Sequence, residues 1–165
     1  MKKRYSAQQI HQRIHELAEQ ISKDYEGQEV LLLGVLKGAM IFLAHLLVQL
    51  KGDFEINTLT VSSYTGTSST ELKLQSEPTC TLKGRRILLV EDIIDSGKTV
   101  HFIKEYLLQK GAAEVEIVTL VDKETKTNVL SPKYVGFHYA EPNFLVGFGF
   151  DLDEKLRNLP EIHQL

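Results

Sequence analysis

The 165-residue chain has a single cysteine and only four prolines. Cys80 alone can neither close a disulfide within the chain nor build a thiolate metal cluster, so nothing here asks for an oxidising compartment. Long hydrophobic runs are lacking too. The longest, residues 39–48, contains His45 and falls far short of the roughly 20 residues that a bilayer span requires. No apolar stretch follows the basic start MKKRY, so no secretory signal and a cytoplasmic location are expected. Excess positive charge is also missing: the formal net charge is −3, which argues against nucleic acid as a bulk electrostatic partner. Repeats, low-complexity tracts and domain linkers are absent. With 42% hydrophobic and 25% charged residues, the composition suits one ordinary domain over residues 1–165.

One further absence concerns a motif. The string VEDIIDSGKT, residues 90–99, ends like a nucleotide triphosphatase P-loop, but the glycine that should stand five residues before Gly97 is Asp92. Glu91 beside it is a second acid. Two carboxylates would repel the phosphates where a P-loop offers bare backbone, so ATP hydrolysis is not being arranged.

The elements alternate. Ser6 and Gln9 form a capping-box pattern, and Ile10, Ile14, Leu17, Ala18 and Ile21 follow at helical spacing, predicting an amphipathic helix that ends near Gly27. VLLLGV, residues 30–35, is short and uniformly apolar, as a buried parallel strand is. The chain then turns through Gly38 into a second helix predicted to stop at Gly52. FEINTLTVSSY reads as a strand with Phe54, Ile56, Leu59 and Val61 as its apolar positions. Residues 62–82 are polar, rich in Ser and Thr, and without a clear core face; a segment of that length is usually functional or disordered, and a closing lid is one such function. GRRILLVE, DSGKTVHFIKEYLLQKG and VEIVTLVD give strand, helix and strand. Short strands around YVGFHY and FLVGF and a polar tail complete the segment from 132 to 165. The order predicts an α/β fold: an open, mainly parallel sheet with helices on both faces.

In such a sheet the ligand sits beyond the carboxyl ends of the strands. Leu36-Lys37-Gly38, residues 91–99 and Asp122-Lys123 all fall there. Glu91 and Asp92 can accept hydrogen bonds from sugar hydroxyls and can help to hold a hydrated magnesium ion. Ser96, Gly97, Lys98 and Thr99 open a helix whose free amides, positive end and hydroxyls cradle a terminal phosphate. Asp95 lies between the two, in reach of a group attached to the sugar. The competing reading is that DSGKT merely caps a helix, with Asp95 or Ser96 as the N-cap.

VEDIIDSGKT resembles the signature of the type I phosphoribosyltransferases, in which the two acids bind the ribose hydroxyls of phosphoribosyl pyrophosphate and the loop binds its phosphate. Within that group the chain is similar to the hypoxanthine (hypoxanthine-guanine) phosphoribosyltransferases. GVLKGAMIF, VSSY, LVDK, KYVGF, FLVGFGFD and EKLRNLP stand in that family's order, and the likeness covers nearly everything from Leu31 to Pro160. It implies the type I fold with a small base-binding hood. The expected reaction is transfer of the phosphoribosyl group to hypoxanthine or guanine, giving IMP or GMP and pyrophosphate.

The resemblance also implies roles. Leu36, Lys37 and Gly38 form a pyrophosphate loop with a cis peptide before the lysine, and Arg157 is a second pyrophosphate ligand. Ser63 and Tyr64 belong to the lid. Lys123 donates to the purine six-oxo group, Phe144 stacks on the base, and the Leu145 backbone meets its edge. Magnesium is held by Glu91 and Asp92 and, on the pyrophosphate side, by Asp151. Asp95 is the catalytic candidate that takes or shares the imidazole-ring proton of the base. Without the resemblance Lys123, Asp151 and Arg157 are surface charges, Tyr64 an exposed aromatic and Phe144 a core residue. Homodimers or homotetramers are implied as well.

Two departures fall on the base loop: GFHYAEPNFLVGF has one more residue between Gly136 and Phe144 than is usual, and Asn143 replaces a common lysine. The preference among hypoxanthine, guanine and xanthine therefore stays open, and a xanthine-guanine enzyme is the alternative. A regulator on the same fold that contacts RNA would be expected to show a basic face, and none is visible. A structural nucleotide-binding domain with Asp95 and Lys123 idle is a further alternative, which turnover would separate.

Overall fold

A computed structural model describes residues 1–65, 70–124 and 130–165 of the chain. A six-stranded sheet runs in the order β4-β3-β2-β5-β6-β7. Its members are β2 (Glu29–Leu36), β3 (Asp53–Thr65), β4 (Thr70–Ser76), β5 (Arg86–Ile94), β6 (Glu114–Lys123) and β7 (Tyr134–Tyr139). All neighbours are parallel except β3 and β4. The helices are α1 (Ala7–Asp24), α2 (Met40–Leu47) and α3 (Lys98–Gln109).

The middles of the central strands are mostly apolar because both faces are covered, and alternate side chains serve different layers. Val30, Leu32, Leu88, Val90, Val118 and Leu120 meet α1 and α2. Leu31, Leu33, Ile87, Leu89 and Ile117 meet Val100, Ile103 and Leu107 of α3. The predicted helices on both faces are present.

α1 begins as its sequence predicts: Ser6 Oγ accepts from the Gln9 N–H at 3.2 Å, and Gln9 Oε1 accepts from the Ser6 N–H at 2.9 Å. All five apolar residues of its predicted face are buried. α2 is shorter than expected and ends at Leu47 rather than at Gly52, Val48 being its C-cap. In β3 the apolar positions change faces between Ile56 and Leu59, an odd spacing, while the pairing with β2 stays continuous. Phe54 packs toward the α1 layer and Leu59 and Val61 toward the α3 layer, while Ile56 is exposed.

Residues 62–82 are only partly the irregular segment the sequence suggests. β3 continues to Thr65 and pairs antiparallel with β4, from Thr60↔Ser76 to Thr65↔Thr70, with a register shift after Thr60. Leu74 and Leu82 reach the α3 layer. Residues 66–69 of the expected lid lie outside the described residues.

The polar ends of the chain form strands that the sequence did not announce. β1 (Lys2–Tyr5) pairs with β9 (Ile162–Gln164), which pairs with β8 (Leu145–Val146), giving a three-stranded sheet in the order β1-β9-β8. This small sheet carries the segment after β7 over the ends of the main strands, and Leu145, Phe148, Phe150 and Ile162 join the α1 and α2 core.

Candidate active site

The direction of strand addition reverses between β2 and β5, and ligands of open α/β sheets bind outside the carboxyl ends of the strands at such a point. Two short loops leave the sheet here. After β2 the peptide between Leu36 and Lys37 is cis, as expected. Gly38 then passes so close to β5 that a Cβ would overlap the Asp92 carboxylate. Only glycine permits this approach.

After β5 comes the turn into α3. Its N-cap is Gly97, with φ 76°, so neither Asp95 nor Ser96 caps the helix. That backbone is left-handed, which favours glycine, and Ser96 Oγ accepts from the Lys98 N–H at 3.4 Å. A hollow of about 220 Å³ runs from Glu91 along the turn, with Ser96, Gly97, Lys98 and Thr99 on its wall. Helix-end amides pointing into such a space favour an anion.

A second cavity of about 170 Å³ adjoins it and shares Asp92, Ile93 and Asp95. Ile93, Phe144, Leu145 and Phe150 give it an apolar wall, and Lys123 and Asp151 bring charge to its rim. Phe144 is 53% exposed, an aromatic face presented rather than buried. Ile93 and Phe150 were not singled out in the sequence. Ile93 was hidden between acids in a strand end, and Phe150 by its likeness to ordinary core.

Glu91 and Asp92 are each 7% exposed. Burial pushes the Glu91 carboxyl well above its ordinary value, with the Asp92 charge adding to the effect, and burial raises Asp92 as well. The Asp92 N–H donates to Glu91 Oε1 at 3.1 Å, and the Ile93 N–H to Asp92 Oδ1 at 2.9 Å. Among the described residues no group of three His, Cys, Asp or Glu side chains is gathered for a closed metal site. A buried carboxylate pair at the edge of such a hollow nevertheless suits magnesium, which keeps several waters and takes one or two carboxylates plus substrate oxygens.

Lys123, at the end of β6, reaches across to Asp95, Nζ lying 3.3 Å from Oδ2. Lys37, Gly38 and Arg157 line neither cavity. Lys37 Nζ is 2.9 Å from Glu154 Oε2. Arg157 contacts Asp151 at 3.0 Å and donates to the Gly149 carbonyl at 2.7 Å. Ser63 is exposed on the β3-β4 ribbon, and Tyr64 is paired through its backbone with Glu71. Asn143 is not in the cavity wall and donates to the Leu165 carbonyl at 3.3 Å.

A cleft that sets a helix-opening turn, a buried acid pair and an apolar slot in line at this point is the arrangement of a phosphoribosyltransferase. Residues 3–155 match the phosphoribosyl transferase domain model, and the chain belongs to that family. Among its relatives is the hypoxanthine-guanine phosphoribosyltransferase of Lactococcus lactis, 45% identical over 95% of this chain and 86% of the relative. A crystal structure of a hypoxanthine-guanine phosphoribosyltransferase from Bacillus anthracis superposes with a TM-score of 0.94 at 37% identity, covering 100% of this chain and 98% of the other. The Trypanosoma cruzi hypoxanthine phosphoribosyltransferase in complex with IMP gives 0.92 at 30% identity, covering 99% and 93%.

Proposed function

We propose that the chain is a purine-salvage enzyme that transfers the phosphoribosyl group of phosphoribosyl pyrophosphate to hypoxanthine or guanine, giving IMP or GMP and pyrophosphate. Relatives of that activity match nearly the whole chain. The observation that carries the residue assignment is the place of Asp95, shared by the phosphate hollow and the apolar cavity and 3.3 Å from Lys123.

In this reading Glu91 and Asp92 hold the ribose hydroxyls, and the turn through Ser96, Gly97, Lys98 and Thr99 holds the 5′-phosphate. Leu36, Lys37 and Gly38 take the pyrophosphate together with Arg157. The purine lies against Phe144 with its edge at the Leu145 backbone. Lys123 donates to its six-oxo group. As the anomeric carbon parts from pyrophosphate, which leaves with the bonding pair, positive charge develops on the sugar. The imidazole-ring nitrogen of the purine forms the new bond while Asp95 takes or shares its proton. Magnesium on Glu91, Asp92 and Asp151 would neutralise the departing charge. The segment 62–82, with Ser63 and Tyr64, serves as the lid, and residues 132–165 as the base-binding segment of the single domain.

Lysine is a donor only, which suits an oxo acceptor and opposes the exocyclic amine of adenine. Six-oxopurines are therefore favoured over adenine.

A cytoplasmic location and an assembly of two or four copies belong to the same proposal. The single cysteine supports the first. Met40 at the start of α2 and Val48 at its C-cap, 52% and 81% exposed, support the second. The test is pyrophosphate release with hypoxanthine, guanine, xanthine and adenine supplied separately. Turnover with hypoxanthine or guanine and none with adenine is expected. Absence of turnover with every base would overturn the reading.

A further inference from the structure

Glu154 has no part in the scheme above, yet its carboxylate joins both cations assigned to pyrophosphate. Oε2 accepts from Lys37 Nζ at 2.9 Å, and Oε1 lies 3.4 Å from Arg157 Nη2. The two cations come from loops far apart in the chain, one after β2 and one after the Phe150 wall. A single carboxylate thus spans them with its two oxygens, as neighbouring oxygens of a diphosphate would.

The placement of Glu154 is well defined. Its N–H donates to Asp151 Oδ2 at 2.9 Å, and Leu152 and Lys155 exchange backbone hydrogen bonds of 3.1 and 3.0 Å around it. Asp153 and Glu154 both have positive φ, 51° and 64°. The contact itself is open to water, the Lys37 and Glu154 side chains being 67% and 64% exposed. Exposed pairs of this kind are screened and readily exchanged for another anion. A carboxylate on a fixed backbone, making contacts that a stronger anion can replace, is suited to standing in for that anion.

We propose that Glu154 is an internal counter-anion that holds Lys37 and Arg157 in the empty enzyme, is displaced by the diphosphate of the substrate, and re-engages as pyrophosphate leaves. The inference rests on the phosphoribosyl transfer reading. It makes Glu154 a positioning residue that sets the affinity for diphosphate without touching the sugar, the base or the 5′-phosphate. Its removal should tighten diphosphate binding while leaving the nucleoside monophosphate product unaffected, because that product carries no diphosphate.

The experiment measures binding of magnesium pyrophosphate and of IMP by calorimetry to the full chain and to Glu154→Gln and Asp153→Asn. Asp153→Asn removes the same charge one residue away without touching either cation, and asparagine tolerates the left-handed backbone. For Glu154→Gln, about threefold to tenfold tighter pyrophosphate binding is expected from the loss of two exposed pairs, with IMP binding unchanged. For Asp153→Asn, pyrophosphate binding should stay near that of the parent. Equal tightening by both variants would reduce the effect to long-range charge and overturn the inference. Unchanged or weaker pyrophosphate binding by Glu154→Gln would overturn it while leaving the transfer reaction standing. Failure of the parent and both variants to bind pyrophosphate would overturn the inference and the transfer reading together.

Discussion

Lys123 Nζ lies 3.3 Å from Asp95 Oδ2, so the donor at the end of β6 and the carboxylate after β5 meet at the wall of the apolar cavity. A purine that lays its oxo group and imidazole-ring nitrogen, which share one edge, against this pair would meet a donor for the first and an acceptor for the proton of the second. Lys123 is largely covered, its side chain 13% exposed, whereas Asp95 is 59% exposed. The lysine is thus the fixed partner of the two.

Asp95→Asn should lower turnover by about a hundredfold to ten-thousandfold, the usual contribution of a positioned general base. Binding of phosphoribosyl pyrophosphate should change little. Steady-state pyrophosphate release together with calorimetric binding would separate the two effects.

Lys123→Met keeps the length of the side chain and removes the donor. The kcat/KM for hypoxanthine should fall by about a hundredfold or more while that for adenine does not, so the ratio between the bases shrinks. Parallel assays with the two bases would read it.

Phe144→Ala removes the aromatic face from the cavity. Base stacking on an aromatic side chain is worth about 1–3 kcal/mol, so IMP affinity should drop by roughly fivefold to a hundredfold. An unchanged affinity would mean that the base does not stack there.

Gly38→Ala places a methyl group against the Asp92 carboxylate. Overpacking of this sort costs about 1–3 kcal/mol, and the acid pair must shift to relieve it. Thermal denaturation should show a lower Tm, and the apparent KM for phosphoribosyl pyrophosphate should rise.

The acid pair predicts a pH dependence of stability. Both carboxyls are raised by burial, so in metal-free protein their contribution is fully present below the unfolded carboxylate values and is lost as pH rises through the folded ones. Glu91→Gln with Asp92→Asn removes that loss. The double variant should be more stable than the parent at pH 8, with the gap closing as pH falls toward about 4. Denaturant titrations at several pH values would test the sign, and the same variant should lose activity.

Much of the architecture was legible because it rests on local chemistry. The Ser6 and Gln9 box starts α1 where the pattern placed it, and the apolar run of β2 is central and parallel. The turn before α3 depends on a glycine in a backbone that other residues resist. Elements that depend on distant partners were less visible. β1 and β9 are short and polar, and they become strands only by pairing across nearly the whole chain, Lys2 with Gln164. The β3-β4 ribbon has no continuous core face to mark it, and α2 stops at Leu47 although apolar residues continue beyond it.

The sequence by itself determined which chemical groups are present and which turns can carry them, since caps, glycine turns and strand alternation are set within a few residues. It also specified the order of the motifs, and with that order the family. Tertiary structure alone decided which groups meet. The facing of Asp95 and Lys123, the approach of Gly38 to Asp92, the shared wall of Ile93 and Phe150, and the bridge from Lys37 through Glu154 to Arg157 each join separate loops. Such contacts arise from sheet order and layer packing, and no local propensity encodes them.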